Sequence, residues 1–234
     1  VERLAELEQL GVKTAKLDVA DNHSVAEFVE KILAQEKRID ALINNAGYGE
    51  YGAVEDVDIE NAKKQIDVNL FGTARMIKSV LPIMRKQNSG TIINITSIGG
   101  KIATPLGGWY YASKFALEAL SDSLRNEVRQ FGIKVVVVEP GGIKTEWGGI
   151  ATETGMAASG NTAYSALTQT FAKTDSLQDK LPPATIIAKL IKKILEKKNP
   201  KTRYVKGFMA KPILFFNKWL PDSMLDKIII NLFK

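Results

Sequence analysis

The 234-residue sequence contains no cysteine, which excludes disulfides, thiolate nucleophiles and cysteine-based metal sites. Its single histidine, His23, would have to carry any Ser-His-Asp triad or histidine metal centre alone, so no metal is expected. That histidine lies in Asp21-Asn22-His23-Ser24, polar residues that read as a helix start, and a plain surface role is expected for it. No apolar run reaches the length of a membrane span and no secretory signal opens the chain, so the expected compartment is the cytoplasm. Glycine is present but not where a phosphate loop needs it. No G-x-G-x-x-G or looser glycine cluster follows a strand upstream of Asn44.

What is present reads as one α/β domain over residues 1–234. Hydrophobic residues make up 45% and charged residues 25%, enough to bury a core without staples. Short β-rich runs at Val12–Val19, Ala41–Asn45, Thr91–Thr96, Lys134–Glu139 and Thr202–Val205 alternate with helical patterns. Val135–Val138 is all valine, as suits a strand buried on both faces of a parallel sheet. Ile66, Leu70, Thr73, Ile77, Val80 and Met84 form one helical stripe, and Leu117, Leu120, Leu124, Val128 and Phe131 another, which Gly132 should terminate. The alternation predicts a doubly wound parallel sheet of Rossmann type. Residues 148–180, rich in Gly, Ala, Ser and Thr with weak periodicity, read as a mobile connection or lid over substrate.

Polar clusters close four of the runs: Asp18-Val19, Asn44-Asn45-Ala46-Gly47, Ser97 and Pro140-Gly141. In open parallel sheets, ligands bind beyond the carboxyl ends of the strands, so these clusters mark a site. Tyr110 and Lys114, four apart at a helix start, share a face. An ammonium beside a phenol favours phenolate and draws its pKa down from about 10, equipping it for acid/base work. The pair alone is weak, because this spacing arises by chance in many helices. Ser97 lies thirteen residues earlier, and the glycines and proline between them let the chain fold back so that its hydroxyl can bond a substrate oxygen; the bland alternative is a serine satisfying a turn. Asn69 in mid-helix is poorly placed unless its amide has a partner.

Asn44-Asn45-Ala46-Gly47, Asn69, Ser97, Tyr110-Tyr111-Ala112-Ser113-Lys114 and Pro140-Gly141-Gly142-Ile143-Lys144-Thr145 together resemble the short-chain dehydrogenase/reductase family over residues 1–147. The resemblance implies a catalytic tetrad of Asn69, Ser97, Tyr110 and Lys114. Tyr110 would be the acid/base and Ser97 would orient the carbonyl. Lys114 would lower the tyrosine pKa and hold the nicotinamide ribose, while Asn69 would support a proton-relaying water. Tyr111 falls three before Lys114 rather than four, so the family pattern selects Tyr110. By position, Asp18 and Val19 would meet the adenine, and Asn45, Ala46 and Gly47 would line the cofactor with Tyr110 and Lys114. Pro140, Gly141, Ile143 and Thr145 would flank the nicotinamide and its phosphates. The implied cofactor is NADP, with NAD as the alternative.

The family's glycine loop is missing from this sequence, so the resemblance places the first strand, that loop, its helix and the second strand ahead of Val1. The sequence is therefore expected to be a piece of a longer protein; the rival is a truncated form in which Val12–Val19 pairs directly with Ala41–Asn45. Tyr48, Leu106, Trp109 and Trp147 are candidates for an apolar substrate wall, the alternative being that they pack the core. The resemblance extends, more weakly, to members acting on steroid, retinoid or lipid-like carbonyls. The activity implied is hydride transfer between a nicotinamide cofactor and a hydrophobic ketone, aldehyde or secondary alcohol. A non-catalytic dinucleotide sensor or scaffold, or an inactive fragment, is the alternative.

The charge is uneven. Residues 180–234 carry 13 Lys/Arg against 3 Asp/Glu, whereas the remainder carries 19 against 23. Within residues 206–234, Lys206, Lys211 and Lys218 stand among Phe208, Met209, Ile213, Leu214, Phe215, Phe216, Trp219 and Leu220. Pro221 should break the helix there, and Asp222 should cap a second one bearing Leu225, Ile228, Ile229, Leu232 and Phe233. Basic residues interleaved with aromatics on amphipathic helices suit a membrane surface; docking on the domain or on a second copy in a homo-oligomer is the alternative. No nucleic-acid-binding motif accompanies the basic residues.

Overall fold

A computed structural model describes residues 2–173 and 179–232. Four parallel strands form one sheet in the order β1 (Ala41–Asn44), β2 (Gly90–Ile95), β3 (Ile133–Pro140) and β4 (Arg203–Lys206). Ile43 pairs with Ile93, and Ile93 with Val136, in unbroken register. The valine run behaves as its composition demands, since Val135, Val136, Val137 and Val138 are all buried. Alternate residues serve opposite faces. Leu42, Ile92, Ile133 and Val135 pack with Val25, Met76, Val80, Met84, Leu124 and Val128, while Ile93, Val136 and Val138 pack with Ile194. The first face is covered by α2 (Asn22–Glu36), α4 (Thr73–Gln87) and α5 (Gly108–Val128), the second by α8 (Thr185–Leu195).

The remaining helices are α1 (Glu2–Gln9), α3 (Ile59–Ile66), α6 (Trp147–Ser159), α7 (Ser165–Lys173), α9 (Ala210–Trp219) and α10 (Asp222–Leu232). Local chemistry sets several ends. Asp21 accepts the His23 amide to open α2, with His23 exposed beside Glu27 at 3.1 Å. Gly132 takes a left-handed φ of 67° and stops the chain after α5, as its position predicts. Leu220 is extended ahead of Pro221, which separates α9 from α10.

Three sequence expectations need correction. Val12–Val19 forms no strand and does not pair with β1. Among the described residues β1 has a neighbour on one side only, and Ile43 there is 41% exposed. A β-run needs a partner ladder to satisfy its backbone, whatever its side-chain pattern. Leu17 and Val19 instead lie against the core from an irregular segment. The second concerns residues 148–173, whose weak periodicity hides two helices, α6 and α7, joined by a turn at 160–164; 174–178, within the expected connection or lid, lie outside the described residues. Ala151, Gly155 and Ser159, spaced four apart, are buried in α6, a stripe of small residues with little hydropathy contrast. The third is the 66–84 stripe, interrupted by a π-helical turn at Asp67–Gly72. One extra residue in that turn rephases the helix, so Asn69 and Gly72 face inward and Leu70 is only half-buried.

Candidate active site

The π-helical turn aims Asn69 at the end of β1. The Tyr48 amide donates to Asn69 Oδ1 at 3.0 Å, and Asn69 Nδ2 donates to the Tyr48 carbonyl at 2.9 Å and to Ser113 Oγ at 3.1 Å. Ser113 Oγ in turn donates to the Tyr110 carbonyl at 2.6 Å. A single buried amide therefore ties the Gly47–Tyr48 turn to α5 at the level of Tyr110. Asn69 is thus justified in mid-helix, although its side chain spends both donors on protein.

Lys114 emerges one helical turn after Tyr110, and its Nζ donates to the Ile95 carbonyl at 3.1 Å and stands 5.8 Å from the Tyr110 ring centre. Burial lowers the Lys114 ammonium to about 8, and the Glu118 carboxylate partly offsets the fall. Ser97 follows the end of β2, where its hydroxyl accepts the Gly99 amide at 3.0 Å and opens a 3-10 turn, Ile98–Gly100. Ser97 also acts on the buried Tyr110 phenol, drawing its pKa down against the effect of burial. The serine, the tyrosine and the lysine thus converge at the carboxyl end of β2, with Asn69 holding the helix that carries two of them.

The expectation that Lys114 makes Tyr110 acidic is not met in this arrangement. Burial pushes the phenol well above the ordinary tyrosine range, Ser97 draws it part of the way back, and Tyr111 nearby raises it again. Desolvation of the ring outweighs its partners.

The aromatic wall is larger than the sequence suggests, and its centre is Tyr51. Its ring lies 5.9 Å from Tyr110, 5.5 Å from Trp147 and 5.1 Å from Phe171, the last stacked. Tyr51 donates to the Tyr111 hydroxyl at 3.2 Å, and that hydroxyl shares a 2.6 Å hydrogen bond with Thr104. The Tyr111 hydroxyl is thereby engaged by Tyr51 and Thr104. Of the four candidates for that wall, Leu106 and Trp147 join this cluster, whereas Trp109 and Tyr48 are half-buried outside it. Hydroxyls of α6 hold the Tyr51 loop: Thr154 Oγ1 accepts the Tyr51 amide at 3.0 Å and Ser159 Oγ the Ala53 amide at 2.9 Å. The only sequence signal for that role was the hydroxyl content of the segment.

The other cofactor candidates divide. Asn45, Ala46 and Gly47 are exposed at the end of β1, and a Cβ on Gly47 would stand 2.9 Å from Asn69 Oδ1 and 3.6 Å from Lys114 Nζ. That glycine cradle, with backbone open beside an ammonium and a phenol, fits a ribose-bearing nicotinamide cofactor. Val19 lies against Gly72, where a Cβ would come within 2.8 Å of its side chain, so Asp18 and Val19 flank the same end of the sheet. At Gly141 the close approach is made by protein: a Cβ there would meet the Phe208 carbonyl at 2.6 Å and Ala210 Cβ at 2.7 Å. This glycine makes room for the chain leaving β4. Pro140 ends β3, Ile143 is half-buried, and Thr145 is exposed with its hydroxyl accepting the Trp147 amide at 3.3 Å.

Comparison with known proteins identifies the family. A family model described as short chain dehydrogenase matches residues 1–154. The chain is 38% identical over 224 residues to a 3-ketodihydrosphingosine reductase of Bacteroides thetaiotaomicron, covering 92% of this chain and 80% of that protein. It is 34% identical over 232 residues to an NADPH-dependent 3-dehydrocapnine reductase of Ornithobacterium rhinotracheale, covering 92% and 78%. The crystal structure of a short-chain dehydrogenase from Streptomyces avermitilis superposes with a TM-score of 0.72 at 30% identity, covering 93% of this chain and 76% of that one. The chain therefore belongs to the short-chain dehydrogenase family and is a nicotinamide-dependent oxidoreductase.

Proposed function

We propose that this chain reduces the carbonyl group of a hydrophobic substrate with NADPH, using Tyr110 as the proton donor, Ser97 to orient the oxygen and Lys114 to hold the charge. The observation that carries this reading is the buried Tyr110 phenol with the Lys114 ammonium 5.8 Å from its ring centre, at the end of β2 where Ser97 opens its turn. When bound, the cofactor supplies the hydride. Gly47, Lys114 and the open backbone of Asn45 and Ala46 would hold its ribose end, with Asp18 and Val19 at the other end. Ser97 Oγ donates a hydrogen bond to the carbonyl oxygen, which polarises it. As negative charge grows there, Tyr110 gives up its proton, and Lys114, charged below about pH 8, stabilises the phenolate left behind.

A phenol raised by burial keeps its proton until an alkoxide demands it, which favours reduction over alcohol oxidation. Two relatives named as reductases, one of them NADPH-dependent, support the same direction and cofactor. Tyr51, Leu106, Trp147 and Phe171 around the phenol support an apolar substrate. Replacing Tyr110 by Phe should abolish NADPH-driven reduction of a hydrophobic ketone panel while NADPH still binds. Retained turnover would remove the mechanism; a wild-type chain that binds NADPH yet reduces nothing would favour a sensor or scaffold.

The proposal extends to location. On α9, Phe215, Phe216 and Trp219 are exposed alongside Lys211 and Lys218, and α9 contains no acidic residue. This face suits the surface of an anionic bilayer, where rings enter the headgroup boundary and lysines meet phosphate. No helix among the described residues is long and apolar enough to cross a membrane. Pelleting with phosphatidylglycerol vesicles, lost in a Phe215→Ser/Trp219→Ser variant, supports the assignment. Equal pelleting by the variant, or concentration-dependent dimerisation through the same face, overturns it.

A further inference from the structure

Glu118 lies one helical turn beyond Lys114 and is buried, yet the chemistry described above leaves it without a role. Its carboxylate accepts Thr96 Oγ1 at 2.6 Å, pairs with Lys101 Nζ at 3.1 Å, and accepts Arg203 Nε and Nη2 at 3.1 and 3.0 Å. Thr96 directly precedes Ser97, and Lys101 directly follows the 3-10 turn that Ser97 opens. One carboxylate therefore grips both ends of the segment carrying the serine. The turn lies so close to α5 that a Cβ on Gly100 would stand 2.8 Å from Glu118 Cγ and 3.1 Å from the Lys114 carbonyl. Lys114 anchors the same segment from the other side through the Ile95 carbonyl.

A buried ion cluster is weak support for stability, because desolvation consumes most of the Coulombic gain and apolar side chains of equal volume do as well. Its geometry here serves something else. We infer that Glu118 is a positioning residue for reduction at Tyr110: its carboxylate clamps the Ser97 turn onto α5 and supplies the negative charge facing the buried Lys114 ammonium. This inference rests on the Tyr110–Lys114 reading of the site.

The charges around the clamp come from every neighbouring element. Lys101 belongs to the Ser97 turn, Arg203 to β4, Glu139 to β3 and Asp122 to α5, with Arg203 Nη2 2.6 Å from Asp122 and Nε 3.4 Å from Glu139. Burial and the Glu118 charge raise the Glu139 carboxyl, against the pull of Lys101 and Arg203. Neutralising Glu118 removes the carboxylate charge that holds the buried Lys114 ammonium up. Glu139 is a second carboxylate of the same cluster, paired with Arg203, so the full effect needs both carboxylates removed.

The test compares Glu118→Gln, Glu118→Gln/Glu139→Gln and Glu118→Asp with wild type in the full chain. Lys114 is titrated by the NMR shift of its Cε in lysine labelled with carbon-13, and kcat is measured against pH. In Glu118→Gln the Lys114 titration and the alkaline limb of kcat move down together by about one pH unit, and further in the double variant. Glu118→Asp keeps the charge but shortens the reach to Thr96, so kcat falls roughly tenfold with the limb in place, without a matching change in KM for NADPH. An unmoved Lys114 titration in Glu118→Gln overturns the electrostatic half, and wild-type kcat in Glu118→Asp overturns the clamp. Should Glu118→Gln not fold, Lys101→Met at a partly exposed position takes its place and should move Lys114 upward; no movement counts against the inference. The NMR titration needs no turnover, so it separates this outcome from turnover retained in Tyr110→Phe, which removes the underlying mechanism instead.

Discussion

Asn69 donates its amide to Ser113 Oγ at 3.1 Å, and this bond joins the π-helical turn to the helix that carries Tyr110 and Lys114. Both sides of the catalytic end of the sheet, the Gly47–Tyr48 turn and α5, are referenced to the same side chain. Replacing Asn69 by Ala leaves the Tyr48 amide and carbonyl without that partner in a partly buried setting. The expected cost is about 2 to 3 kcal/mol of stability, read as a lower denaturant midpoint at unchanged slope. Turnover should fall more than cofactor affinity, because α5 shifts relative to the serine.

Gly47 tests the cradle from the opposite side. Its φ is not left-handed, so an alanine fits the backbone, and only space opposes it. The new methyl would sit 2.9 Å from Asn69 Oδ1 and 3.6 Å from Lys114 Nζ. Gly47→Ala should therefore cost about 1 kcal/mol in thermal unfolding, as overpacking does, yet weaken NADPH binding about tenfold or more in a fluorescence titration. Wild-type affinity would show that the cofactor does not approach this glycine.

Why some of this was legible beforehand and some was not follows from what periodicity measures. The β3 valines must be buried on both faces, and a continuous apolar run declares that without ambiguity. Tyr110, Lys114 and Ser97 were legible because covalent spacing on a helix, or at a strand end, fixes their neighbourhood. Val12–Val19 misled because a strand is a relation between two chains, and the sequence of one says nothing of its partner. Tyr51 was invisible for a related reason. Its importance comes from residues 59 to 120 positions away, at Tyr110, Tyr111, Trp147 and Phe171, which no local pattern links. Asn69 lay between, since its unsuitability for a helix signalled a role but not the π-helical turn that turns it inward.

The hydroxyls of α6 offer a check on the expected lid. Ser159 Oγ accepts the buried Ala53 amide at 2.9 Å and so fastens the Tyr51 loop to the helix. Ser159→Ala should lower stability by about 1 to 2 kcal/mol, since a buried amide is left unpaired. It should also loosen the wall beside Tyr110, so KM for an apolar ketone rises while KM for NADPH stays near its original value. A rise in the NADPH value alone would place α6 over the cofactor instead.

Lys114 shows a residue whose usefulness opposes its stability. Burial lowers its pKa from 10.5 to about 8, so the folded state holds the proton less tightly than the unfolded chain. The sign follows by linkage: a cation depressed on folding weakens the fold wherever the unfolded state is the more protonated, and also at every lower pH. The penalty is fully present below about pH 8 and is recovered as pH rises toward 10.5. Lys114→Met removes the buried charge at similar length and gives up the hydrogen bond to the Ile95 carbonyl. The net expectation is a gain of about 2 kcal/mol at neutral pH, shrinking as pH rises through 8 to 10, together with loss of reductase turnover. Chemical denaturation of both proteins across that pH range reads the effect. A variant less stable than wild type at pH 7 would mean that the ammonium is better solvated by Ile95, Glu118 and the surrounding dipoles than its burial implies.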